Sequence, residues 1–355
     1  MKLYLKYLLK SFFLSATLLL PLLVGIYSLV EFFDKLDNVT RAKAPVYYLC
    51  VYLFLRLPEI FLDLWPLALS LAALLAFAFL ARGGELLALR TLGFSPRKLI
   101  WPYVWTSLLL TIFFLGGLEM VLPKSAYEAR FFWETRIRHK EPKGLLVKGK
   151  LYFRGIDSFL IGQVISNDVR RLKDVVYAKV DSQGLPVQII WAKEAFFKEK
   201  KWSFRKGILK DKERPPSWFE EKAMRLEFSP ETVLVVKRTP RLQSLKDLWD
   251  QRNFLLKAEL PALAAESEIA YRVFYPLLAP VLILWSLPAL LLQRGKQALG
   301  KGITSGVIII ASVLGIFFLG KNLADVGYLS PLLLQSLIWI CMFFSGVIFL
   351  LKLKA

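Results

Sequence analysis

The sequence predicts an α-helical membrane bundle of six transmembrane helices, with an all-β domain inserted between the third and the fourth. Three observations lead there. The 355 residues are 56% hydrophobic and have a mean hydropathy of +0.48, well above soluble chains. The apolar residues gather into runs, several of them long enough to cross a hydrocarbon core, which takes about 20 helical residues. Between Lys124 and Glu266 the composition turns charged and breaks into short β-branched and aromatic stretches, the cadence of antiparallel strands joined by turns.

The first span is Leu8 to Val30, preceded by Lys2, Lys6 and Lys10. The run is too long for the apolar region of a signal peptide, and no small-x-small cleavage site follows, so it reads as uncleaved. Glu31 to Lys43 is polar and of mixed charge. Pro45 to Leu57, broken by Arg56 and Pro58, reads as an interfacial helix or a lead-in to the next span, with Tyr47, Tyr48 and Tyr52 at headgroup level. The second span is Ile60 to Ala81; its Pro66 is tolerable where neighbouring helices satisfy the freed carbonyl. The third is Ile100 to Leu122, opening on an aromatic belt of Trp101, Tyr103 and Trp105, with Glu119 near its far end and within reach of water.

In the charged segment, Leu151 to Phe153, Ser158 to Ile165, Val175 to Val180, Val187 to Trp191 and Thr232 to Val236 read as strands, and a sandwich or jelly roll is the default. Phe196 to Pro216 is too charged and irregular for strand assignment. Leu242 to Leu263 turns helical and leads back to the membrane. The fourth span, Val273 to Leu292, contains Pro276, Pro280 and Pro288. Ile303 to Leu319 and Pro331 to Leu351 complete the six. The expected domains are therefore 1–122, 123–266 and 267–355.

Basic residues beside the spans are uneven. The N-terminus, the Arg82–Lys98 loop, the Arg294–Lys301 loop and the C-terminus all carry clustered Lys or Arg, and an even number of spans puts them on one side. The positive-inside rule makes that side the cytoplasm and places the β domain opposite.

The stretch RGGELLALRTLGFSPRKL, from Arg82 to Leu99, organises the membrane part. Gly83 and Gly84 break the incoming helix. Glu85 to Thr91 reads as a short helix within about residues 84–92, with Leu86, Leu89 and Arg90 at helical spacing. Gly93 suits its C-cap, and Ser95-Pro96 suits the start of the next helix. Two readings stand: a solvated turn, or a coupling helix that docks a cytosolic partner.

Signals of chemistry are few. Cys50 and Cys341 lie far apart, and one histidine, His139, argues against a histidine-based metal or triad site. Gly295 to Gly302 imitates a phosphate-binding loop, but Gly302 replaces the required hydroxyl and a membrane span precedes it. Nothing calls for catalytic residues, a metal or a resident cofactor. The net charge of +20 is open to nucleic acid, anionic lipid or membrane topology. Gly302 and Gly306 form a G-x-x-x-G that either packs within the bundle or lines a subunit seam. Lys35, Arg41, Lys43 and Arg56 gather near the outer end of the first span, where they either hold phosphates of a lipid substrate or snorkel.

The order of parts, with GGELLALRTLGFSPRKL after the second span, resembles the LptF/LptG permease family, the paired membrane subunits of the lipopolysaccharide export ABC transporter of Gram-negative bacteria. The resemblance rests on LWPLALSLAALLAFAFLARGGELLALRTLGFS (Leu64–Ser95), ESEIAYRVFYPLLAPVLILWSLP (Glu266–Pro288) and QRGKQALGKGITSGV (Gln293–Val307). It implies a periplasmic β-jelly-roll domain and an inner-membrane bundle that receives lipopolysaccharide from the outer leaflet. It also implies a paired LptF or LptG subunit, an LptB ATPase dimer that binds the ATP and magnesium, LptC as a further partner, and no nucleic acid. Glu85 matches the family's coupling-helix acid, which contacts the ATPase, and Leu86, Ala88, Leu89, Arg90 and Gly93 match its surroundings. The basic cluster that some LptG members carry at the outer end of the first span is only partly matched, because Glu31, Asp37 and Asn38 stand in its place. VEFFDKLDNV (Val30–Val39) leans towards LptG. Two other classes share this layout: a permease for another lipid or lipoprotein, and a membrane scaffold that binds through its β domain.

Overall fold

Long apolar runs make long helices, and in this chain they overrun the bilayer. The computed structural model describes every residue except 1, 139–143, 148–149, 155–156, 166–167, 182–184, 199–200, 213–214, 225, 227–238, 258–260, 293–297, 328 and 353–355. His139, the Thr232–Val236 strand and the first three residues of the Gly295–Gly302 stretch fall outside the described residues.

Helix α1 (Lys2–Arg41) has 40 residues, which makes it about 60 Å long, roughly twice the hydrocarbon thickness. It therefore continues well past Val30. Helix α2 (Tyr47–Arg82) runs the Pro45–Leu57 stretch into the second span as a lead-in, one helix that absorbs Pro58 and Pro66. Arg56 does not break it, because carboxylates from α1 and α2 neutralise that charge. The short helix α3 (Glu85–Thr91) follows. Helix α4 (Pro96–Phe132) also outlasts its expected end at Leu122 and closes in a π-helical turn, Trp133–Ile137.

After the strands come a 3-10 turn (Pro240–Leu242), α5 (Leu245–Lys257), α6 (Leu263–Phe274) and α7 (Leu278–Leu292). The expected fourth span is bent by 49° between α6 and α7. Pro276 sits in that break and has no N–H to continue the helical ladder. Helices α8 (Ala298–Asp325) and α9 (Pro331–Lys352) end the chain. Among the described residues, five helices are long and apolar enough to cross a membrane, and six if the bent pair is one span.

The helices do not share the core equally. In the most apolar window of α2, 61% of residues are buried, against 11% in α1 and 17% in α4. Most of α7 is buried too, including Leu278, Val281, Leu282, Leu284 and Leu287. So α2 and α7 form the centre, and the other spans turn apolar faces outward.

The chain divides into a helical unit (1–40, 45–129 and 238–355) and a second unit (41–44 and 130–237). The boundaries differ from the expected 122 and 266. The polar start of the insert is still helix α4, and the segment from Pro240 onward is tied to the helices by charged side chains.

The second unit holds a single antiparallel sheet of β1 (Gly144–Val147), β2 (Lys150–Arg154), β3 (Ser158–Ile165), β4 (Asp168–Val180), β5 (Pro186–Lys198), β6 (Lys201–Asp211) and β7 (Ser217–Met224). Among the described residues these seven strands are the whole sheet, and each pairs with the next in sequence. This described order is a meander, whereas a jelly roll splits its strands between two sheets. Leu151, Leu160, Leu172, Ile190, Trp202 and Phe204 form one buried cluster. Strand β6 lies in the region left unassigned above. Its charges alternate with Trp202 and Phe204, which point inward while Lys201 and Arg205 stay exposed. A Cβ on Gly207 would lie 2.5 Å from the Trp191 carbonyl oxygen and 2.6 Å from the Phe219 ring, so only glycine fits between β5 and β7.

Candidate functional site

Helix α3 is held at both ends by backbone geometry. Gly84 enters it with a φ of 75° and Gly93 leaves it with a φ of 83°, conformations that favour glycine. At the exit, the Gly93 N–H donates to the Arg90 carbonyl and the Phe94 N–H to the Leu89 carbonyl. This pair of bonds is a Schellman cap.

Two side-chain contacts then orient the helix. Leu86 is buried, and Leu89 and Phe94 pack against the main helical core. The Phe94 ring lies 4.8 Å from that of Tyr4 on α1. The single O–H of Tyr7 donates to the Glu85 carboxylate, lying 2.9 and 2.7 Å from its two oxygens. The opposite face carries Leu87, 68% exposed, with Leu92, 75% exposed, and Arg90 in the open. The seven-residue helix is thus clamped on one side, while Leu87 within it and Leu92 at its C-cap stay bare.

The other end of α2 carries a second polar centre. Arg241 donates to both Asp63 carboxylate oxygens, at 2.7 and 2.9 Å, and lies 3.5 Å from Glu59. Tyr271 donates to the same Asp63 carboxylate at 2.9 Å, and Tyr275 donates to its backbone carbonyl at 2.7 Å. Burial works against the Arg241 charge, but Asp63, Glu59 and Glu268 outweigh it and raise its pKa above the ordinary guanidinium value. Arg272, 1% exposed, donates to the carbonyls of Gln243 and Arg241 and to Glu268. Glu119 accepts from the Leu245 N–H and keeps part of its side chain exposed. Side chains from α2, α4 and α6 thus clasp the segment from Pro240 to Leu245.

The four expected rim cations have different fates. Arg56 is paired with Glu31 and Glu59 and donates to Tyr52. Lys35 lies 3.3 Å from Asp34. Both belong to the helical unit, whereas Arg41 and Lys43 belong to the second unit and are exposed. The two seam glycines face neighbours in their own chain. A Cβ on Gly302 would come within 3.1 Å of Leu290 on α7, and one on Gly306 within 2.8 Å of Leu74 on α2. They let α8 approach the central helices. Farther along α8, Ala311 and Gly315 are exposed, and a Cβ on Gly315 would meet nothing within 4 Å among the described residues.

Comparison with known proteins decides the family. The model of the lipopolysaccharide export system permease LptF/LptG matches residues 6–352. The chain belongs to the LptF/LptG family. It is also 22% identical, over 294 residues covering 81% of each chain, to the lipopolysaccharide export system permease protein LptG of Haemophilus influenzae. The likeness to LptG agrees with the lean read from Val30–Val39. As a member of a lipopolysaccharide export permease family, the chain is a multi-pass membrane protein with an inserted β sheet.

Sequence reasoning placed α3 and missed the clasp of this LptF/LptG member. Asp63 and Glu59 interrupt an apolar run, and an ionisable residue inside a span asks for a partner. That signal was present in the chain, although Arg241, its partner, lies 178 positions away. Tyr7 carried no signal, because one tyrosine near the start of a span looks like any other interfacial aromatic.

Proposed function

We propose that this chain is the LptG-like half of an ATP-driven permease that extracts lipopolysaccharide from the outer leaflet of the inner membrane and passes it to a periplasmic bridge. A second LptF or LptG subunit completes the cavity. An LptB-like ATPase dimer binds the ATP and magnesium and grips α3. An LptC-like protein receives the substrate from the β sheet, where open strand edges suit β-augmentation. The observation that carries this reading is the geometry of α3, set on the core by Leu86 and Leu89 and presenting Leu87, Leu92 and Arg90 outward.

Closure of the ATPase moves α3, and α2 carries that movement across the membrane. The spans then narrow the cavity and squeeze lipid upward. Acyl chains need apolar walls, which the outward faces of α1, α4, α8 and α9 supply. Phosphate groups need cations, for which Arg41 and Lys43 are the exposed candidates, while Lys35 and Arg56 already have carboxylate neighbours. The clusters of Lys and Arg support cytoplasmic termini, a cytoplasmic α3 and a periplasmic β sheet.

The test is extraction of the chain from its native membrane with its neighbours attached, followed by the Glu85→Ala variant. An ATPase dimer, a second permease and bound lipopolysaccharide are expected, and Glu85→Ala is expected to separate ATP hydrolysis from transport. An ATPase with a different lipid would change the substrate. No ATPase at all would leave a scaffold that binds through its sheet.

A further inference from the structure

We propose that the groove between the first turns of α1 and α4 seats one anionic phospholipid. The groove has a volume of about 470 Å³, and Tyr4, Leu5, Leu9, Trp101 and Trp105 supply its apolar walls, with Arg97 and Lys98 at its lip. This inference goes beyond the export reading and needs neither lipopolysaccharide nor ATP.

Charge complementarity identifies the occupant. Arg97 and Lys98 are both exposed. Among the described residues, no ion pair joins either to a carboxylate; Arg97 donates one N–H to the Leu351 carbonyl and keeps its other donors. The outer rim differs, since Lys35 and Arg56 there have carboxylates beside them. Two adjacent cations without an acid favour a net negative headgroup over a zwitterionic one.

Depth gives the same answer. The apolar run of α4 begins at Leu99, so Arg97 and Lys98 stand at its water boundary. Trp101 and Trp105 come one and two turns further in, with ring centroids 6.2 Å apart. Indoles at that level offer an N–H to the ester region and a flat face to the first methylenes. Leu5 and Leu9 lie one turn apart on α1 and continue the apolar wall. Phosphate, ester and acyl chain therefore each meet matching chemistry in order.

The test is native mass spectrometry of the full chain in its assembled complex, with phosphatidylglycerol and phosphatidylcholine of identical acyl chains added in equal amounts. The wild type is expected to retain phosphatidylglycerol preferentially. Lys98→Glu is expected to lower that retention about fivefold or more, as the loss of one cation near an anionic headgroup implies. Lys10→Glu changes an exposed lysine on α1 outside the groove and is expected to leave retention unchanged. Equal retention of the two lipids would overturn the proposal. So would an equal loss in Lys10→Glu, or loss of the lipid whenever the ATPase is bound, which would make the groove a protein seat. The export reading is scored separately, by whether an ATPase and lipopolysaccharide co-purify with the wild-type chain, so failure here is distinct from failure of that reading.

Discussion

Tyr7 and Glu85 are a small contact with a large lever. The hydroxyl donates to the carboxylate and so ties α3 to α1 as well as to α2. Tyr7→Phe keeps the ring and removes only that tie. The complex with the ATPase is expected to form, while stimulation of ATP hydrolysis by lipopolysaccharide in reconstituted vesicles falls. Stimulation equal to wild type would show that Glu85 needs no such positioning. At the other end of α2, Asp63→Ala strips Arg241 of its bidentate partner and leaves Glu59 at 3.5 Å. Losing a charged hydrogen-bonded partner costs about 1–3 kcal/mol, read as a lower thermal midpoint in detergent. Arg241→Leu in the same chain should recover part of the loss, because it removes the stranded charge. Strictly additive losses would mean that the two residues are not coupled.

At the scale of elements, caps and close approaches matter more than propensity. Helix α3 has seven residues, too short to be stable on its own merits, so it depends on its C-terminal cap and on buried Leu86 and half-buried Leu89. Gly93→Ala puts a Cβ on a residue with a φ of 83°, at a cost of about 1–2 kcal/mol. Weaker docking of the ATPase is expected, measured by co-purification, with Gly93→Asn milder than Gly93→Ala. In the sheet, Gly207→Val drives a side chain into the Trp191 carbonyl and the Phe219 ring. Faster proteolysis of the β unit is expected, with the helical unit still inserted. Equal resistance to protease would show that the strands move apart cheaply.

Across the whole molecule, α2 is the element on which the rest depends. From Asp63 to Arg82 it rises about 28 Å, close to one hydrocarbon thickness. Helix α3 is attached beyond Arg82, and the segment that follows the strands in sequence is clasped at Asp63. On the export reading proposed above, this buried helix, with α3 at one end and the clasp at the other, is the element that would carry a push across the bilayer. Arg241→Ala is therefore expected to leave ATP hydrolysis and assembly near wild type while slowing transfer of lipopolysaccharide to the periplasmic acceptor. The exchange of charges in Asp63→Arg with Arg241→Asp should restore transfer in part. Wild-type transfer in Arg241→Ala would reduce the clasp to a structural tie.

Patterns that a chain carries locally were legible before any fold was seen. Apolar run length decided the spans, because the hydrocarbon core sets a minimum length for any helix that crosses it. Gly84 and Gly93 marked α3, because a left-handed residue is costly for any other side chain. Short β-branched and aromatic runs announced β2 to β5, while β1, β6 and β7 carried no such run. Tertiary structure decided what local pattern cannot hold. It ran the Pro45–Leu57 stretch and the second span into α2, because Glu31 and Glu59 neutralise the arginine that seemed to interrupt them. It moved the domain boundary from 266 to 238, because Arg272 and Glu119 hold the returning segment on the helices. It brought Arg241 to Asp63 and Tyr7 to Glu85 across gaps of 178 and 78 residues. A charge partner is chosen by distance in space, and a sequence records only distance along the chain.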